Sequence, residues 1–509
     1  MSELTDVFTG IASAIRSKTG SSSAFTPAQM ITEIENIPTG GGGSWVSVSA
    51  YANSTITSYT GNENLILDYA FISCTSLTSI SFPECSYVGN YAFYNCPSLT
   101  SISFPQCGYM CNAVFYYCIN LSEASFPECR SVGDYAFWSC NRLTTASFPE
   151  CEYIGPYAFN YCTSLTTASF PECGYIDNYA FASCSSLTTA SFPKCEYMGG
   201  QAFKLCTSLT TISFPNCSYI GSYAFYKCTS LTIASFPKCE SIDAYAFYQC
   251  TSLTSVSFPI CSYIGYQAFS DCTSLTSVSF PNCSYIAGYA FYQCTNLTTA
   301  SFPNCSSIGS NAFRYCNNLT TASFPICSYI GGQAFDTCKN LTTASFPICS
   351  YISDYAFRSC SSLTTISFPS CSSIGTFAFS GCNKLTNISF PKCRYIGNGA
   401  FGICTNLTTL SFPNCSYISI YAFSSCTSLS EVSFPNVNYI GASAFQYCSN
   451  LSVMYLLSTS VVSLANSNAF TNSPLSAGGT GTIYVPSSLY NDYIIAINWS
   501  RISARISSM

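Results

Sequence analysis

Residues 162–183 read CTSLTTASFPECGYIDNYAFAS, and Cys184 begins the same phrase again. The 22-residue period runs without a slip from Cys74 to Cys448. Leu recurs eighteen times from Leu77 to Leu451, and Ser-Phe-Pro seventeen times from Ser81 to Pro435. A fixed period of this length marks a solenoid or an array. Within one repeat, Ala168 and Phe170 alternate with Thr167 and Ser169 as strand residues do. Pro171 has no N–H to give a ladder and ends the strand. Cys173 and Ile176 turn back inward. The next residue is usually Gly (Gly155, Gly221, Gly265) and is read as a flexible joint. Ala180 and Phe181 fall on a short helical or turn-like segment, and Cys184 closes the rung. Leu, Ile and two Phe bury too little to order 22 backbones alone, so each strand must pair with its copy in a parallel stack.

The pattern L-x-x-I-x-F-P…I-G-x-x-A-F-x-x-C resembles the BspA-like leucine-rich repeat in a 22-residue form, over about residues 65–470. The resemblance implies an α/β-type repeat fold, a right-handed leucine-rich-repeat solenoid with one long parallel β-sheet. It also implies surface attachment and recognition of protein or carbohydrate rather than catalysis. The more usual form of the repeat carries an aliphatic residue where this chain has its second Cys column.

Residues 1–39 are not repeat. Leu4, Phe8, Ile11 and Ile15 fall on one face of a helix. Thr26-Pro27-Ala28-Gln29 is a capping box with Pro at the first helical position, and Met30, Ile31, Ile34 and Ile37 follow. Such a helical hairpin is too small to fold alone. Leu4, Phe8, Ile11, Ile15, Met30, Ile34 and Ile37 are therefore expected to form an attachment or self-association surface. This stretch resembles a short N-terminal module of phage and prophage tail-associated proteins, which implies a place in a virion after cytoplasmic synthesis. The plainer reading is an N-terminal cap. The expected organisation is the module at 1–39, a Gly linker at 40–43, capping strands at 44–67, about 18 leucine-rich rungs at 68–470, and a strand–helix cap at 471–509. In that cap, 482–485 reads as the last strand and 489–499 as a helix.

Only 7% of residues are charged and the net charge is −6, which argues against nucleic acid, whose binding needs basic grooves. No window approaches the 18 or more apolar residues of a membrane helix, so no membrane insertion is expected. The opening MSELTDVFTG has no basic n-region, and no secretory leader is read there.

The 35 cysteines divide into eighteen from Cys74 to Cys448, sixteen from Cys85 to Cys415, and Cys111. Val437 takes the next place in the second series, so an apolar residue serves there. The thiols are therefore expected to be reduced and buried as small hydrophobes. Zinc sites favour close Cys pairs with His. The chain has no His, and Cys107-x-x-x-Cys111 stands alone, so neither metal nor cofactor is expected. The absence of His also removes the commonest acid–base group. Glu84, Glu128, Glu150 and Glu172 share one column and are read as a solvated acidic stripe rather than an oxygen site for a cation. No phosphate loop or nucleophile elbow is present, and an enzyme is not expected.

The two positions after each Ala-Phe vary freely. They place Tyr94, Tyr116, Tyr117, Trp138 and Tyr161 on four successive rungs, a candidate ligand surface whose ring faces could stack on sugars. Against this stands the abundance of Tyr, 39 in all, which also fills partly buried surface. The leading functional reading is a phage or prophage tail-associated protein. It would present the solenoid to a host cell-surface glycan or protein, and bind other tail or surface proteins through residues 1–39. A BspA-like bacterial cell-surface adhesin is the alternative. An ice-binding solenoid is the remote one, suggested by the Thr/Ser ladders of Thr167 and Ser169 and opposed by the dominance of Ser.

Overall fold

The structure, a computed structural model, describes residues 45–46 and 51–509. The helical module expected at 1–39 and the Gly linker at 40–43 lie outside the described residues. The chain divides into two compact units, Met1–Pro171 and Glu172–Met509, and the described residues of each form a parallel β-solenoid, with a few short helical segments in the second.

Each rung contributes two short strands. In the first unit the Ser-x-Ser type strands Ser58–Thr60, Ser79–Ser81 and Ser101–Ser103 pair in parallel, as do Glu123–Ser125, Thr145–Ser147 and Thr167–Ser169. A second ladder joins Trp45–Val46, Leu65–Ile66, Tyr87–Val88, Tyr109–Met110, Ser131–Val132 and Tyr153–Ile154. The second unit repeats both. Its three-residue strands run in register from Thr189–Ser191 to Ser277–Ser279 and again from Thr299–Ser301 to Thr365–Ser367. Its two-residue strands run from Tyr175–Ile176 to Tyr197–Met198 and onward to Ser463–Leu464. The Tyr–Ile ladder went unforeseen because two residues are too few to show a period.

The Ala-Phe segment is a turn, not a helix. The N–H groups of Tyr223, Phe225 and Lys227 donate to the carbonyls of Ala244, Ala246 and Tyr248 at 2.7–2.9 Å. Tyr223 and Lys227 sit at φ 59° and 57°, a left-handed conformation that costs a non-Gly residue about 1–2 kcal/mol. The bonds to the next rung hold it there. Where Gly follows the Ile, as at Gly221, it lies close against the backbone of the rung before, while Asp177, Asp243 and Ala287 hold the same position in other rungs. A Cβ on Gly221 would lie 2.6 Å from the carbonyl carbon of Gly199.

Inside, two phenylalanine columns interlock. Phe181, Phe203 and Phe225 stack at 5.2 and 5.4 Å between ring centroids, and Phe192, Phe214 and Phe236 at 5.6 and 5.4 Å. The columns meet edge to face at 5.6–5.9 Å, the arrangement that ring quadrupoles favour. No disulfide joins the 35 cysteines, and all but Cys111 are buried. They do more than fill space. In the first column, Cys206, Cys228 and Cys250 donate from Sγ to the carbonyls of Phe181, Phe203 and Phe225 at 3.1–3.2 Å, tying each rung to the one before it. In the second column, Cys217 and Cys239 donate to the carbonyls of Tyr219 and Ser241.

The far end closes differently from the expectation. Thr482–Val485 is followed by another parallel strand, Ile506–Ser508. The α-helix covers only Tyr490–Ile495, because Ala496 is already extended (ψ 150°). A 3-10 segment, Trp499–Arg505, follows it. Trp499 is fully buried against Phe470, and its Nε1 donates to the Val462 carbonyl at 2.6 Å. It thereby seals the last ring of the core.

Burial raises the thiols from an ordinary 9.0 to about 12 at Cys118, Cys404 and Cys448. Below about pH 8.5 both folded and unfolded chains keep these protons and stability is flat. Above pH 9 the unfolded chain binds fewer protons than the folded one, so stability falls as pH rises, by about 1.4 kcal/mol per pH unit for each such thiol. With this many thiols the loss is steep. The melting temperature should hold from pH 6 to 8 and collapse between pH 9 and 11. A melting temperature unchanged at pH 11 would contradict the thiol assignment.

Candidate recognition surface

The five aromatic residues singled out in the sequence all lie in the first unit, and the structure brings them together. Tyr94, Tyr116 and Trp138 occupy one column, the position after the buried Phe, and are half-buried. Tyr94 stacks on Tyr116 at 4.8 Å and 14°, and Tyr116 on Trp138 at 4.5 Å and 10°. Tyr161 meets Trp138 edge-on at 5.7 Å. Tyr117 lies 5.4 Å from Trp138 and 5.7 Å from Tyr116. Tyr117 and Tyr161 take the next position, at φ 62° and 61°, and are 45% and 47% exposed.

This geometry changes what the strip can offer. Copies in one column of a parallel stack sit about one strand spacing apart, so their rings cover one another. Stacked this way, Tyr94 and Tyr116 offer ring edges and hydroxyls and Trp138 the edge of its indole, while Tyr117 and Tyr161 are the more exposed. Burial, with the neighbouring phenols, raises the Tyr116 hydroxyl above its ordinary 10.0, so it stays a neutral donor. Similar Tyr stacks recur in the second unit, at Tyr175, Tyr197 and Tyr219 (4.5 and 5.4 Å) and at Tyr395, Tyr417 and Tyr439 (5.2 and 4.4 Å).

The same column carries a second feature in the second unit that the sequence reading passed over. Asp336 is fully buried and lies between Arg314 and Arg358, one rung to either side. Arg358 donates from Nε and Nη2 to the two carboxylate oxygens at 3.0 and 2.8 Å, and Arg314 Nε stands 3.0 Å from Oδ2. Arg314 lies over the Tyr315 ring at 4.7 Å and Arg358 over Tyr355 at 4.9 Å, where cation–π attraction adds to the pairing. Opposite charges at a spacing of 22 were the available sequence clue. In the acidic column, Glu172 pairs with Lys194; in the column two residues further on, Arg130 stands 3.8 Å from Glu152. Among the described residues no group of three or more Asp, Glu, Cys or His side chains is placed to hold a metal ion.

The repeat matches the family model for the BspA type leucine-rich repeat region over residues 44–166, 130–253, 240–363 and 350–476. The chain belongs to the BspA-type leucine-rich repeat family. Among solved structures, a leucine-rich repeat protein from Bacteroides ovatus is 22% identical, covering 77% of this chain and 82% of that one, with a TM-score of 0.38. The T. pallidum leucine-rich repeat protein is 28% identical over 29% of this chain and 72% of its own, with a TM-score of 0.28. A leucine-rich cell surface protein from Faecalibacterium prausnitzii is 17% identical over 86% and 90%, with a TM-score of 0.24. No curated protein matches the chain. No described helix is long and apolar enough to cross a membrane.

Removing a partner from a buried ion pair leaves uncompensated charge and costs about 3–5 kcal/mol. Asp336→Asn should lower the urea midpoint of the second unit accordingly. Exchange of the exposed Glu240 of the same unit for Gln should leave it unmoved. Equal effects would show that the Arg–Asp–Arg group contributes nothing beyond ordinary surface charge.

Proposed function

We propose that this BspA-type protein is a non-enzymatic recognition or adhesion protein, a phage or prophage tail-associated component that presents its solenoid to a host cell-surface glycan or protein. The observation that carries the reading is the contrast between columns. Inward residues barely change from rung to rung, because packing punishes change. The positions after Ala-Phe vary, and in the first unit they gather Tyr94, Tyr116, Tyr117, Trp138 and Tyr161 on a rigid scaffold. Tyr and Trp bind with little loss of side-chain freedom and suit a surface without a deep pocket. Contact through edges and hydroxyls favours polar, hydroxyl-rich partners, and weak single contacts gain strength by repetition. Residues 1–39 would attach the protein to other tail or surface proteins. A bacterial cell-surface adhesin is the second reading, and membership of the BspA-type family supports it.

The test uses Tyr117→Ala with Tyr161→Ala, because these two are exposed and their loss spares the core. Binding to whole bacterial cells and to a printed glycan array should fall at least tenfold with the melting temperature unchanged. A companion protein lacking residues 1–39 should keep that binding and fail to join its particle or assembly. Unchanged binding by the double variant would retire the aromatic strip.

A further inference from the structure

The three-residue strands of the second unit expose a surface whose regularity packing does not explain. Ser191, Ser213, Ser235, Ser257, Ser279, Ser323, Ser345, Ser367, Ser389 and Ser411 form one exposed column. Their register is direct, Ser213 against Ser235 and Ser235 against Ser257, for example. Other outward columns of the same unit, exposed or half-buried, drift. The position after Pro reads Lys194, Asn216, Lys238, Ile260, Asn282, and the position two after Phe reads Leu205, Lys227, Gln249, Asp271. Drift in these columns shows that the rungs have diverged wherever change is tolerated. The serine column has not diverged, although its side chains point to solvent and Ser is not a favoured strand residue.

Beside it run two more columns. The exposed position two before each Ser is Thr or Ser in most rungs, with Ile233 and Asn387 as exceptions. The Thr one residue earlier is fixed in place. Thr232, Thr254, Thr276 and Thr298 each donate from Oγ1 to the carbonyl of the Thr one rung back, at 2.9–3.2 Å. From Thr188 to Ser411 these three columns carry no charged residue. The face is thus an uncharged grid of hydroxyls, spaced about 4.8 Å between rungs and about 6.7 Å along the strand.

We propose that this grid binds an ordered, neutral, β-linked polysaccharide laid along the rungs. The inference rests on the recognition reading above, and assigns a ligand class to a face separate from the aromatic strip. A hydroxyl both donates and accepts, which matches a partner made of hydroxyls. One hydroxyl contact gains little over water, so a lone sugar is held weakly, and only a partner that repeats on the same scale adds contacts rung by rung. Absence of charge on the grid fits a neutral chain and disfavours an acidic one. Ser carries no methyl group to order water into a lattice, so sugar hydroxyls suit this column better than ice.

The test is retention of the full protein on microcrystalline cellulose, a neutral β-glucan fibre. Wild-type protein should be retained, with little dependence on salt, and soluble cello-oligosaccharides should compete poorly. Ser257→Asp with Ser345→Asp should weaken retention at least tenfold, and Ser257→Gly with Ser345→Gly several-fold, with melting temperatures unchanged. Failure of the wild-type protein to bind, equal retention of the variants, or partition into ice rather than onto glucan would overturn the proposal. If these serine variants still bind cells while Tyr117→Ala with Tyr161→Ala does not, the grid assignment fails and the recognition reading stands. If neither set changes cell binding, both fail.

Discussion

Everything in this fold depends on each rung finding the one before it in register. The phenylalanine columns state the constraint most plainly. A ring such as Phe203 stacks on Phe181 and Phe225 and takes the edge of Phe192 and Phe214. It can do so only if no residue is gained or lost between copies. Backbone bonds enforce the same register at three places in the rung, the two strand ladders and the Ala-Phe turn, and the thiol of Cys228 reaches back to Phe203 in the same step. A one-residue slip would turn buried side chains outward and break every one of these contacts at once.

That dependence explains what was legible in the sequence. Leu, Phe, Ile and Cys recur because each has one packing partner on the neighbouring rung, so the period announces both the core and the parallel stack. Contacts that cross between different parts of the rung left no such mark. The reach of Cys228 to a carbonyl 25 residues back depends on which turn of the chain lies beneath it, and spacing alone does not give that. The left-handed Tyr223 and Lys227 run against the habits of bulky residues, and only the neighbouring rung makes the conformation worth its cost. Trp499 seals the end through a loop with no period at all.

The candidate surface was half legible. Variation singled out Tyr94, Tyr116, Tyr117, Trp138 and Tyr161, and the structure brings them together. Their mutual stacking was available from the same spacing, since residues one rung apart are about one strand spacing apart. The Arg314, Asp336 and Arg358 group lies in the same column and obeys the same geometry. Both features show that outward residues of a solenoid interact along the stack first and with solvent second. The serine column is as regular as the core, yet it lies exposed to solvent.

The most direct measurement of this rung-to-rung dependence is a pair of internal deletions in the second unit. Removing 22 residues, Thr251 to Cys272, rejoins the chain in register, whereas removing 11, Thr251 to Cys261, places Ser262 where Thr251 stood. The longer deletion should keep the β circular dichroism, the cooperative melt and the inaccessible thiols of the intact protein. The shorter one should lose cooperativity and expose its thiols to titration. A shorter deletion that folds as well as the longer one would contradict the claim that register holds this protein together.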